Sequence, residues 1–332
     1  MNYTKKQHYV PQFYLKYFCI NEDKINVYLK KENKILKNQL IRNVACENDY
    51  FDISLDKPTS PLLEEVIKGI DFKNKKFEDY VHTNNMEKFF SELESVMGNI
   101  FSKFKEYILN EKNINTVIPF SQFFEIRKYI ILYILIQYMR SPLYKNMYIK
   151  IYNAVNEICG NNGIKNFNNK KIDIGIHDND DAKVHHIRQI GELDNYNAKM
   201  MCIGEMTCDV LVNKTEESFI TSDSPICTLK KVDDSHYKYS IFKKGDCNMI
   251  IFPLSTEICL VFRTSPLLSN DWYIKSCSDV KKVKKINTLI YQSCQNQVYT
   301  YVDELNLLKN VELVFSKVTV NVKNKNICLQ LL

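Results

Sequence analysis

The hydrophobic positions change period along the chain. In residues 25–38, INVYLKKENKILKN, two short apolar runs flank Lys30-Lys31-Glu32-Asn33, a pattern that predicts a β-hairpin. Residues 40–53, LIRNVACENDYFDI, continue as a strand or irregular segment towards a break near Pro58 and Pro61. From Leu62 the spacing turns helical, first in LLEEVIKGI and then over 86–108, where Phe89, Phe90, Leu93, Val96, Met97, Ile100, Phe101 and Phe104 form one apolar stripe. Residues 121–138, SQFFEIRKYIILYILIQY, are apolar on nearly every side, the mark of a helix buried all round. That helix is expected to end near Arg140-Ser141, because Pro142 disfavours helix in the residue before it. A second helix is expected in YKNMYIKIYNAVNEI, then a loop over the polar, Asn-rich residues 160–181.

The second half opens with an expected helix over 182–201 and then shows β-type runs. CDVLVNKTEESFITSD reads as two strands around a turn, and YSIF, MIIFPL and EICLVFR as further strands. Val280, Val283, Ile286, Leu289 and Ile290 restore helical spacing within 278–296, and strands follow at 298–302 and within 311–322, with a short helical turn between them. No internal repeat is present. The expected class is α+β: a mainly helical block over about 62–160 packed on a mixed or antiparallel sheet formed by the N-terminal segment and the C-terminal half. The expected organisation is one domain over 1–332, divisible into a sheet part (1–60 plus 200–332) and a helical part (61–199).

Composition narrows the function classes. With 8 glycines and no G-x-G-x-x-G or G-x-x-x-x-G-K-[ST], a phosphate-cradling loop is not indicated. The net charge of +6, from 45 basic and 39 acidic residues, is mildly basic and short of a domain that coats nucleic acid. The 11 cysteines form no C-x-x-C and are odd in number, and the N-terminus shows no apolar signal-peptide core. They read as reduced, buried thiols of a cytoplasmic protein. The longest apolar run, Tyr129 to Met139, is too short to span a bilayer, so no membrane partner is expected.

Three polar clusters sit where apolar residues are expected. In the first, QHYVPQFYL, His8 lies among aromatic rings; it is either a general acid or base, since its pKa lies near neutrality, or part of a packed N-terminal peg. In the second, ILIQYMRSP, Gln137 and Arg140 share one helix face at i,i+3. A buried guanidinium needs a partner: an anionic ligand held by its planar fork, or an internal carboxylate such as Glu87 or Glu94. In the third, FITSDSP, Asp223 ends a strand before a proline-stiffened turn, a place for a ligand-orienting carboxylate or for an Asx-turn. A fourth stretch, IHDNDDAKVHH, is dense in ligand types, with His177, Asp178, Asp180, Asp181, His185 and His186. Adjacent histidines on a helix point about 100° apart and no metal-loop pattern is present, so no metal and no cofactor are expected.

Taken together, QHYVPQFYLKYF, IQYMRSP and FITSDSP followed by IIFPLS resemble the bacterial family catalogued as domain of unknown function 4238, over roughly residues 5–302. The family pattern falls on Gln7, His8, Tyr9, Pro11, Gln137, Arg140, Pro142, Ser222, Asp223, Pro225, Pro253 and Asn287, with Ser224 standing where the family is expected to carry Asn. The resemblance implies an architecture and a residue set, not a reaction. It supports the expectation that His8, Arg140 and Asp223 converge between the helical block and the sheet. His8 and Asp223 are then the catalytic pair, and Gln7, Tyr9, Gln137, Arg140, Ser222 and Asn287 the binding residues, with Tyr9 or Tyr14 as a wall. Histidine with arginine and no metal set suits phosphodiester chemistry, and so a nuclease-like hydrolase acting in antiviral defence or as a toxin. Two alternatives stand beside it: a module that senses a nucleotide or another anionic ligand without turnover, and a structural protein holding an internal ion network. An anionic small molecule or nucleic acid is the expected partner, and the sequence fixes no oligomeric state.

Overall fold

The computed structural model describes residues 6–51, 86–118, 123–161, 193–240, 247–264, 270–315, 318–323 and 326–331, together with 183, 186, 187 and 190. The helix expected over 62–70, most of the expected loop 160–181, and His177, Asp178, Asp180, Asp181 and His185 lie outside these residues.

The N-terminal segment is ordered and packed. Lys6–His8 (β1) pairs antiparallel with Cys46–Asn48 (β4), with Gln7 opposite Glu47 and His8 opposite Cys46. Pro11 then starts a short helix, Gln12–Leu15 (α1), and Tyr14, Leu15 and Phe18 are fully buried. Lys24–Leu29 (β2) and Lys34–Leu40 (β3) form the expected hairpin.

The helical block follows as Met86–Leu109 (α2), Phe124–Arg140 (α3) and Pro142–Asn161 (α4). Within α3 the side chains from Tyr133 to Arg140 are all buried. The helix stops where proline requires it. Ser141 is extended, its hydroxyl donates to the Tyr138 carbonyl at 2.7 Å and accepts from the Tyr144 N–H at 3.3 Å, and Pro142 opens α4. Between these elements lies Val117–Ile118 (β5), and beyond them Leu193–Gly204 (α5).

The remaining strands are Thr207–Asn213 (β6), Thr221–Ser222 (β7), Cys227–Lys231 (β8), His236–Tyr239 (β9), Met249–Pro253 (β10), Ile258–Arg263 (β11) and Trp272–Cys277 (β12). Helix Val280–Ser293 (α6) precedes Gln297–Thr300 (β13), Glu312–Val314 (β14), Val318–Lys323 (β15) and Asn326–Leu331 (β16). They build an eight-stranded mixed sheet in the order β14-β9-β8-β10-β11-β6-β12-β5, a four-stranded antiparallel sheet β3-β2-β13-β7, and a hairpin β15-β16. The class is therefore α+β, and the smaller sheet joins the N-terminal hairpin to the C-terminal half.

Two strand expectations need correction. The two strands in CDVLVNKTEESFITSD do not pair with each other: β6 lies between β11 and β12 in the large sheet, whereas β7 pairs with β13 in the small one. The intervening residues act as a crossing between sheets, with the Phe219 N–H donating to Thr256 O at 3.0 Å. Strand β12, WYIKSC, was not expected, because Lys275 and Ser276 interrupt its apolar run; both are exposed.

One residue ties the sheets to the N-terminus. The Tyr14 hydroxyl lies 2.6 Å from Pro253 O on β10 and 2.8 Å from Thr221 Oγ1 on β7, and its ring stacks on Phe252 with centroids 5.5 Å apart. Nine of the 11 cysteines, Cys19, Cys46, Cys202, Cys208, Cys227, Cys247, Cys259, Cys277 and Cys294, are seen as free thiols, six of the nine buried. Among the described residues no helix is long and apolar enough to cross a membrane.

Candidate functional site

The polar residues of the N-terminal segment meet the C-terminal end of α3. Spacing i,i+3 places Gln137 and Arg140 on one face of that helix, and they hold two successive backbone carbonyls. Gln137 Nε2 donates to Tyr9 O at 2.8 Å, and Arg140 Nη2 donates to His8 O. From the other side, the Gln7 side chain accepts the Phe51 N–H at 2.6 Å, and the Tyr9 N–H donates to Ala45 O at 2.9 Å. Gln7, His8 and Tyr9 are thereby fixed through both backbone and side chain.

Arg140 is 1 % exposed. Its Nη1 donates to Glu94 Oε1 at 2.8 Å, one of the two glutamates expected as internal partners. The guanidinium carbon lies 4.0 Å from the Phe90 ring centroid and 5.9 Å from that of Phe51, so the cation is also held by aromatic faces.

The His8 imidazole is buried beside these groups. Its Nδ1 lies 4.0 Å from Glu87 Oε1, a separation that makes an ion pair only if the ring is protonated. It is not protonated at neutral pH. Burial first, then the Arg140 charge and more weakly Lys6, lower its pKa to about 4 against the opposing Ile41 and Arg42 carbonyls. His186, from the stretch weighed above for metal ligation, sits under the same cover. One ring nitrogen, Nε2, lies 2.6 Å from Met139 O, and burial, Lys145 and Arg140 lower its pKa to about 3. Its ring packs against Phe51 and Tyr50 at 5.8 and 5.9 Å. The Lys145 ammonium lies 4.3 Å from the Tyr50 ring centroid, and burial lowers its pKa.

Five polar atoms of this layer are buried without a hydrogen-bond partner: His8 Nε2, the Tyr50 hydroxyl, Gln137 Oε1, Arg140 Nε and His186 Nδ1. Such atoms are costly to bury without a partner.

The other expected residues form a neighbouring turn. Asp223 accepts three successive backbone N–H groups, from Gln295 at 2.8 Å, Asn296 at 2.7 Å and Gln297 at 2.8 Å, and its own N–H donates to Gln297 O. Burial raises its pKa, and these three bonds oppose the rise. Asn287 on α6 accepts the Ile220 N–H and donates to Ser218 O, while Ser222 Oγ accepts the Ser224 N–H. No hydrogen bond or ion pair joins His8 to Asp223 among the described residues. Their link is Tyr9, whose hydroxyl lies 3.5 Å from Gln297 Oε1, at the long limit of a hydrogen bond, and whose pKa burial and the Asp223 charge both raise.

Gln7, His8, Tyr9, Gln137 and Arg140 thus share one centre, and Ser222, Asp223 and Asn287 brace the adjoining turn. Sequence reading missed Tyr50, Lys145 and the place of His186. Tyr50 sits next to the residue that Gln7 caps, but nothing in spacing marks it, and His186 is signalled only by its ligand-rich neighbourhood.

The sequence pattern of the family described as protein of unknown function DUF4238 matches residues 6–303, and the chain belongs to that family. No curated protein and no solved structure matches it.

Proposed function

We propose that the chain is a phosphodiester-type, nuclease-like hydrolase whose general base is His8. The observation that carries this reading is the group of unpartnered buried atoms around a neutral imidazole in a positive local field. His8 Nε2 takes the proton of an attacking water as the water oxygen bonds to phosphorus. The P–O bond to the leaving group breaks, and the same proton passes to the leaving oxygen. A free imidazole with pKa near 4 is a weak base, and efficient bases titrate near the working pH. An anionic substrate offsets the Arg140 and Lys6 charges that depress His8, so binding strengthens the base. Arg140 Nη1 and Nη2 are already engaged by Glu94 and His8 O, so the donors assigned to the substrate are Arg140 Nε, the Tyr50 hydroxyl and Lys145.

The test is turnover of single-stranded RNA, single- and double-stranded DNA and small phosphodiesters by the purified protein. The reading expects cleavage of at least one, lowered about 100-fold or more in His8→Gln. Absence of turnover for every class between pH 5 and 9 ends the hydrolase reading; saturable binding in its place supports the sensing module.

A structural role is favoured by a different observation: Arg140, Asp223, Gln7 and Asn287 are all engaged by internal partners. Under that reading His8→Gln destabilises the fold, and no phosphodiester binds.

A further inference from the structure

A cavity lies away from the His8 centre and shares none of its residues. It has a volume of about 450 Å³ and opens between α6 and the large sheet. Its floor is aliphatic: Leu211 on β6, Ile251 on β10, Val261 on β11, Ile286 and Leu289 on α6, and Leu308. A shallower polar depression of about 400 Å³ adjoins it, and the two share Lys231, Asp234, Met249 and Arg263 as a sill. The volume falls in the roughly 300–1,000 Å³ range of small-molecule sites, and an apolar body with a few polar groups at one edge is their usual chemistry.

Charge selects the head group. Five cations, Lys231, Arg263, Lys281, Lys282 and Lys285, line the main cavity against three carboxylates, Asp209, Asp234 and Asp279. Two of the three carboxylates are paired with cations. Asp209, 5 % exposed on the sheet, is paired with Arg263 and with Lys275 at 2.7 Å. Asp234 pairs with Lys231 at 2.6 Å, and Asp279 caps α6 by accepting the Lys281 N–H at 2.9 Å. Lys281 and Lys282 are exposed and make no ion pair among the described residues. An anion at the rim therefore meets two uncommitted ammonium groups.

Shape selects the body. The one aromatic ring of the lining, Tyr237, is 3 % exposed and carries the Lys285 ammonium 5.4 Å from its centroid. The cavity offers branched aliphatic walls and no open ring face on which a nucleobase could stack. We infer that this cavity binds an aliphatic-tailed anion of the medium-chain fatty-carboxylate class, with the tail between α6 and the sheet and the carboxylate at Lys281 and Lys282.

Isothermal titration of the full chain with decanoate, kept below its micellar concentration, tests this. Saturable one-to-one binding is expected, with butyrate and the uncharged decanamide each at least tenfold weaker. The double variant K281E/K282E, altered only at exposed positions, should keep the wild-type melting temperature and bind decanoate at least tenfold more weakly. Leu308→Trp, which fills the cavity without changing charge, should do the same. Decanoate uptake that does not saturate, or equal affinity in the wild type and both variants, overturns the proposal. Binding of adenosine monophosphate in preference to decanoate overturns the aliphatic class.

Discussion

Arg140 grips His8 by its backbone. The guanidinium donates to the His8 carbonyl, while the imidazole of the same residue lies beside Glu87 with Nε2 unpartnered. A buried cation thus fixes the chain at the histidine and, through its charge, helps keep the ring neutral. Polar and aromatic residues alternate in QHYVPQFY because each has a separate attachment. Gln7 holds Phe51, the His8 and Tyr9 carbonyls are held by α3, and Tyr14 ties the two sheets.

The Arg140 attachment predicts a graded loss of stability. Arg140→Met leaves Glu94 and the His8 carbonyl without their donor, and should cost about 3–5 kcal/mol. Arg140→Lys keeps a charge but not two simultaneous donors and a planar face, so it should fall between Met and wild type. Urea denaturation measures both; equal stability of all three proteins would show that the pair contributes nothing.

The two buried histidines predict acid sensitivity. Both have folded pKa values below the unfolded value of 6.5, about 4 for His8 and about 3 for His186. As pH falls below 6.5 the unfolded chain takes up protons that the folded chain refuses, so stability decreases. The decrease continues to about pH 4 for His8 and about pH 3 for His186, with a slope of at most about 1.4 kcal/mol per pH unit for each. Asp223, with its pKa raised, acts in the opposite sense: it favours the folded state at the acid end and loses that contribution as pH rises from the unfolded value near 3.8 through its folded value. Melting temperatures from pH 7 to 4 should fall less steeply in His8→Gln and His186→Gln than in the wild type.

Asp223 predicts a different kind of loss. Asn at this position replaces one carboxylate oxygen with a donor that faces N–H groups, so at least one of the three bonds from residues 295–297 is lost. The expected cost is about 2–3 kcal/mol in chemical denaturation. A change within error would mean that the turn is held by its backbone alone.

How much of this was legible in sequence depends on range. The hairpin at β2 and β3 and the end of α3 at Arg140 follow from local rules, turn chemistry in one case and the residue before proline in the other. A buried guanidinium requires an anion, which left an anionic ligand and an internal carboxylate, Glu87 or Glu94, as candidates for Arg140; the structure shows Glu94. The separation of β6 and β7 into different sheets was not, since β7 has two residues and its partner, β13, lies more than 70 residues on. Nor was the role of Tyr50, His186 and Lys145, which become one layer only through packing against Phe51 and α3. The three breaks in apolar pattern at 7–9, 137–140 and 222–223 hold polar residues that the fold buries; how each is used depends on backbone carbonyls and N–H groups that side-chain sequence does not encode.

The most direct measurement is the titration of the His8 ring by NMR, with and without a non-hydrolysable phosphorothioate dinucleotide. The account predicts a pKa near 4 in the free protein, rising when the anion occupies the layer of Arg140, Tyr50 and Lys145. A ring that titrates near 6.5 and does not respond to the dinucleotide would contradict it.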